Sequence, residues 1–198
     1  GRHAGVERGV PHRRPEPDDG RKRDAVRLHA TDGGGGLRPK SARSVGNGSL
    51  HLAGWPTHIN QLTGGPGPHD ADGVAENRWD DCLPASIAAA LLWLQGDTWS
   101  PDGLKDAAYG DGYVGYTEPG RFVPLLTSLG VTGTPIRNDD PLPTIRYALT
   151  VQQPVLARTF EPEGYFHWTP VIGLDADTIT RHQVLGGGAE TLLLAEWL

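Results

Sequence analysis

No aromatic residue occurs among the first 50 positions, and all 14 Trp, Tyr and Phe lie beyond them. Aromatic rings bring the largest single blocks of apolar area into a core, so a 198-residue chain with this distribution is expected to draw its core from the later part. Charge divides at the same place. Residues 1–50 carry 11 Lys/Arg against 6 Asp/Glu, residues 51–198 carry 7 against 18, and the whole chain has a net charge of -6. A polar segment with Gly33 to Gly36 as a flexible run buries too little apolar surface to offset the entropy of ordering it. Residues 1–50 are therefore expected to form a disordered, basic, Gly-rich leader, and residues 51–198 one folded domain. The basic residues of the leader are scattered among acids, prolines and glycines, with no rings to stack on bases, and the folded part is acidic. Both features argue against nucleic acid as a partner.

The single cysteine, Cys82, excludes a disulfide within the chain and any Cys-based zinc cluster. No stretch approaches the roughly 20 apolar residues that a membrane span needs. The N-terminal residues lack the apolar core of a signal peptide. A cytoplasmic monomer without membrane attachment is expected.

Residues 51–80 read as a long loop, broken by Gly64, Gly65, Pro66, Gly67 and Pro68. A strong helix follows, with Asp81 as its expected N-cap and Pro84 in the first turn. Ile87, Leu91 and Leu94 repeat at helical spacing among alanines, and Gly96 closes the helix. Further helices are expected from Ser100-Pro101-Asp102 to Gly110, over 121–128 and over 143–151. Strands are then expected over 154–160, 167–174 and 178–185, with Glu161-Pro-Glu-Gly164 and Asp175-Ala-Asp177 as turns and a short amphipathic end over 191–198. Helices first and an antiparallel meander second make this an α+β domain.

Cys82 stands at the mouth of that first helix, where free backbone N–H groups and the helix dipole favour a thiolate. A free cysteine is equally often a small buried hydrophobe. His167 opens a strand before an apolar run and has the place of a general base. Gln183 stands 16 residues later, with His182 beside it, and an amide oxygen can accept an imidazole N–H as a carboxylate does. A helix-mouth Cys, a strand-mouth His and a third polar group in that order suit nucleophilic catalysis by a thiol. A zinc site from Cys82, His167, His182 and an acid lacks the close ligand pairs that metal sites show, so neither metal nor cofactor is expected. Trp93, Trp99 and Trp197 are expected to pack the core, Trp79 and Trp168 to flank the site as cleft or packing residues, and His58 and His69 to be solvated. Asp70, Asp72, Asp80 and Asp81 either favour a cationic substrate or form a solvated acidic loop.

Asp81-Cys82-Leu83-Pro84-Ala85-Ser86, followed by an alanine-rich helix, resembles the D-C-G-P-A-S block of C39-like cysteine peptidases, a branch of the papain-like fold. Pro154-Val-Leu-Ala and His167-Trp-Thr-Pro-Val-Ile-Gly-Leu-Asp175 resemble the strand pair that carries that family's catalytic histidine. Gly186-Gly-Gly with Thr191-Leu-Leu-Leu-Ala-Glu-Trp197 resembles its closing segment, and Ile59-Asn60-Gln61-Leu62 the segment that supplies an oxyanion-hole glutamine. The similarity spans about residues 55–198, and its loop-rich style is similar to that of peptidase domains of bacteriophage lysins. It implies a papain-like fold, Cys82 as nucleophile, His167 as base, and Gln61 with the Cys82 amide as oxyanion donors. Departures from the pattern are Leu83 where Gly is usual, Gln61 standing 21 residues before Cys82 with Asn77 as a rival donor, and Gln183 where Asp or Asn is usual, with Glu190 as a weaker substitute. The implied activity is thiol-dependent cleavage of peptide or amide bonds, with peptidoglycan cross-bridges or stem peptides as candidate substrates. A non-catalytic papain-like phage structural or binding module, and an acyl transfer such as deamidation or transglutamination, stand as alternatives.

Overall fold

The structure, a computed structural model, describes residues 23–30, 48–61, 80–138, 140–161 and 164–197. Seven strands make one sheet: β1 (Arg23–Ala30), β2 (Leu50–His51), β3 (Val131–Asn138), β4 (Val155–Phe160), β5 (Phe166–Leu174), β6 (Thr178–His182) and β7 (Ala189–Leu193). They run in the order β3-β1-β4-β5-β6-β7, with β2 on β5, and every pairing is antiparallel. The helices are α1 (Cys82–Gln95), α2 (Pro101–Tyr109), α3 (Pro119–Ser128), α4 (Leu142–Thr150) and α5 (Leu194–Trp197). The architecture is α+β with an antiparallel sheet.

One expectation is corrected at once. Residues 23–30, inside the segment expected to be disordered, pair with β3 along their whole length and with β4 through Ala25–Arg27. Ala25, Val26 and Leu28 are buried in the core. The cause is local: Val26 and Leu28 alternate with Arg27 and His29, a period-two pattern that an average over fifty residues conceals. The folded unit therefore recruits a strand from well before residue 51. The Gly33 to Gly36 run lies outside the described residues.

The loop expected over 51–80 begins with a second unforeseen piece, since Leu50 and His51 pair with Leu174 and Gly173 of β5. A Cβ at Gly173 would run into the His51 ring, so that approach requires glycine. Strand β3 also escaped the reading because its Val-Thr-Gly-Thr-Pro-Ile pattern carries two breakers. Among the described residues it lies at the end of the strand order and pairs on one edge alone, where Pro135 costs little.

The sheet is covered on both faces. Val26, Leu28 and Leu156 meet Leu83 and Ile87 of α1 and Leu126 of α3 on one side. Arg27, which alternates to the opposite side, lies over the Tyr147 ring of α4. Leu83 to Leu91 of α1 are buried on all sides, which explains the alanine run: small side chains let the helix approach the sheet closely while keeping helix propensity high. Gly96 closes α1 in the left-handed conformation. Trp197 is in the core, and Trp93 and Trp99 are packed partly against it.

Candidate active site

Residues from α1, β5 and the turn after β6 come together. Cys82 is the first residue of α1 and is half-buried. The Trp168 amide donates to its sulfur, and Ser86, one turn along, donates to the carbonyls of Cys82 (2.7 Å) and Trp168 (3.1 Å). The mouth of α1 is thus stitched to β5 at the residue immediately after His167. Trp168 keeps its ring in the core, so its backbone, and not its indole, faces Cys82.

His167 is buried, and its Nε2 lies 2.8 Å from Gln183 Oε1. The tautomer follows from a second bond. The Leu185 N–H donates to the same Oε1 at 3.3 Å, which holds that oxygen in the accepting role. Nε2 therefore carries the hydrogen, and Nδ1 of the neutral ring keeps its lone pair. Gln183 itself is not on a strand as expected. Strand β6 ends at His182, and Gln183 opens the turn that follows, with its N–H on Gly188 O (3.0 Å) and its carbonyl receiving the Gly187 N–H (2.7 Å). Glycines at 186–188 let this turn close, a reason for the glycine run that strand periodicity does not supply.

Gln61 is buried, and its backbone N–H donates to Val184 O at 2.8 Å, which sets it beside the same turn. Asn77, Trp79, Asp70, Asp72 and His69 lie outside the described residues. His58 is exposed. His182 points away from the pair: its Nδ1 accepts from Trp55 Nε1 at 3.1 Å, and burial pushes its pKa down to about 4, so it stays neutral. Glu190 is bonded to Arg181 (2.8 Å) across the β6–β7 pairing and does not take the place of Gln183. Leu83, which stands where Gly is usual in the family pattern, is fully buried with its side chain in the core.

The electrostatics correct the expectation of a thiolate. Burial pushes the Cys82 thiol up to about 11; the Trp168 and Leu83 amides pull against that, and the Asp80 and Asp81 carboxylates add to it. Desolvation of a sulfur anion outweighs the pull of the helix mouth here. Burial also lowers the His167 pKa, opposed by its bond to Gln183 and by the Glu161 carboxylate. At neutral pH the two groups are a neutral thiol and a neutral imidazole.

Two buried ionic clusters flank these residues, and neither was foreseen. Asp81 is the N-cap residue of α1, as expected, but its side chain makes no capping bond and is not solvated: its Oδ1 receives Lys105 Nζ at 2.7 Å, with both side chains almost wholly buried. Asp102 Oδ1 is 3.4 Å from the same ammonium. Burial raises Asp81 to about 7, against the pull of Lys105. On the other side Arg181 grips Glu161 through Nη1 (2.6 Å) and Nη2 (3.0 Å) and Glu190 through Nε (2.8 Å). Asp102 and Lys105, three apart on one helix, were legible as a pair; their burial against residue 81 was not. Arg181 and Glu190 face each other only because of a strand register that nothing local announces.

Among the described residues no three His, Cys, Asp or Glu side chains converge to hold a metal ion, and no helix is long and apolar enough to cross a membrane. Comparison with models of known families, with curated proteins and with solved structures returned no match to this chain.

Proposed function

We propose that the chain is a thiol hydrolase of the papain-like, C39-like kind that cleaves peptide or amide bonds, with Cys82 as nucleophile and His167 as general base. The observation that carries this reading is the 2.8 Å bond from His167 to Gln183, one residue along β5 from the Trp168 amide that holds the thiol, since it leaves the imidazole in the tautomer a base requires. In the proposed cycle Nδ1 takes the Cys82 proton as the sulfur attacks an amide carbon. The C–N bond breaks as His167 returns the proton to the leaving nitrogen, and water then cleaves the thioester. The Cys82 backbone N–H, at the mouth of α1, and the Gln61 side chain are the proposed donors to the oxyanion, each contributing about 3–4 kcal/mol. Cross-bridge or stem peptides of bacterial cell wall, as substrates of a lysin-like domain, are the class proposed.

The raised Cys82 pKa favours a second reading, a non-catalytic module on the same scaffold. One experiment separates them, with mass spectrometry of new termini after incubation with purified peptidoglycan and with a peptide mixture. A hydrolase yields new amine and carboxyl ends in the wild type, and Cys82→Ala lowers the yield by at least about a thousandfold. Products carrying an added amine would indicate acyl transfer. Intact substrates, or equal cleavage by Cys82→Ala, would leave the non-catalytic reading standing.

A further inference from the structure

The network around Arg181 ties together the strand ends that hold the His167–Gln183 pair. Glu161 directly follows β4 and receives both terminal nitrogens of Arg181; its Oε1 also accepts from Thr159 Oγ1 at 2.7 Å. Thr159 is the register partner of His167 and lies 3.3 Å from its carbonyl oxygen. Glu190 on β7 takes the remaining nitrogen, Nε. Arg181 itself precedes Gln183 by two residues. One guanidinium thus fastens the end of the His167 hairpin, the end of β6 and the start of β7, and Gln183 hangs from that junction.

Arg181 and Glu161 are nearly buried, so the fork has little competition from water, whereas Glu190 is partly exposed. A planar two-pronged grip fixes both distance and angle between two strand ends, which a point charge such as lysine cannot do. The groups that face His167 are then Glu161 from the end of β4, Arg181 from β6, Glu190 from β7, Gln183 from the turn, and Tyr165, whose ring is edge-on at 6.1 Å. Cys82 approaches from α1 through the Trp168 amide. Two carboxylates and one guanidinium leave one net negative charge in this shell, suited to an imidazole that must become positive for part of a reaction cycle.

We propose that Arg181 is a positioning residue whose fork onto Glu161 holds the Gln183 amide against His167 Nε2, and so keeps the ring in the tautomer with a free Nδ1. This rests on the reading of His167 as base, but its physical content is separable from activity.

The test is the 15N spectrum of the His167 ring in the full chain, for wild type, Arg181→Lys and Glu161→Gln, with remote amide signals as the check of folding. Wild type should show the Nε2–H tautomer. Arg181→Lys keeps the charge and loses the fork, so the Nδ1–H form should appear and any measured kcat/KM should fall on the order of 10- to 100-fold. Glu161→Gln removes the charge and one prong of the fork, since an amide nitrogen cannot accept, so the pH midpoint of His167 should move down and the Nδ1–H form should appear here too. Folded variants with wild-type tautomer and wild-type midpoint would overturn the proposal and reduce the network to a strand clamp. If the tautomer responds as expected in a protein that cleaves nothing, the positioning role stands and the hydrolase reading falls.

Discussion

At the scale of single residues, the two reactive groups are neutral for the same reason. Each is largely out of water, and desolvation raises the acid and lowers the base. The pH behaviour follows from those directions. A base must be unprotonated to act, and His167 has a pKa below the ordinary imidazole value of 6.5. Hydrolysis should therefore rise with pH through a midpoint below that value and hold at neutral pH. The thiol near 11 predicts that alkylation of Cys82 by iodoacetamide is slow at pH 6 and still climbing at pH 9. An alkylation rate that is already flat and fast at pH 6 would mean a resting thiolate–imidazolium pair, contrary to the burial seen here.

Which residues are candidates for chemistry was more legible than how they are held. The Asp81-Cys82-Leu83-Pro84 block and the 16-residue interval from His167 to Gln183 are local patterns, and the structure sets His167 and Gln183 in direct contact. The ion pairs of Arg181 and Lys105 join residues 20 and 24 positions apart and depend on register and helix packing, which no local pattern encodes. The same limit explains the thiol. Helix-mouth position is visible in sequence, but the depth of burial that reverses its effect is a tertiary property.

At the scale of elements, the mouth of helix α1 rests on an unexpected support. Asp81 stands at the N-cap position, but its side chain makes no capping bond; it reaches across to α2 and fastens the two helices through a buried ammonium. The linkage has a definite sign. Folded Asp81 holds its proton up to about 7 while the unfolded carboxyl loses it near 3.8, so the folded state binds more protons between those values. This group's contribution to stability is present at low pH and is lost as pH rises through that window. Two buried histidines with lowered pKa act in the opposite sense, so the effect is read as a difference. The melting temperature of Asp81→Asn minus that of the wild type should grow from pH 4 to pH 7. A difference that is constant, or that shrinks, would contradict the assignment.

Element boundaries were predicted well where the chain punctuates itself. Pro101, Gly96 and the Asp175–Asp177 turn all mark observed ends, whereas α3 begins at Pro119, two residues before its expected start. The strands that were missed share a different property. Strand β1 is short in signal and set among charges and glycines, β2 has two residues, and β3 contains Gly133 and Pro135. Each gains its stability from partners distant in sequence, as β1 does between β3 and β4.

At the scale of the whole molecule, that placement of β1 decides what the smallest folding unit is. Its residues complete a sheet in which β4 separates β1 from β5, the strand of His167, and Leu28 is wholly buried. Deleting residues 1–30 should expose the facing edges of β3 and β4 and remove three core side chains, each contributing on the order of 1–3 kcal/mol. The truncated chain is expected to lose its cooperative urea transition or to aggregate. A truncation that unfolds with the same midpoint as the full chain would show that β1 contributes nothing.

The central claim is that Cys82 attacks an acyl carbon with His167 as its base. The most direct measurement is the reaction of the full chain with a peptide p-nitrophenyl ester, following the first turnover and the acyl mass on the protein. A burst near one nitrophenolate per chain is predicted, with the acyl group on Cys82, and with the burst rate falling by at least about a hundredfold in His167→Ala. No acyl group on Cys82, or an undiminished burst without the His167 ring, would contradict it.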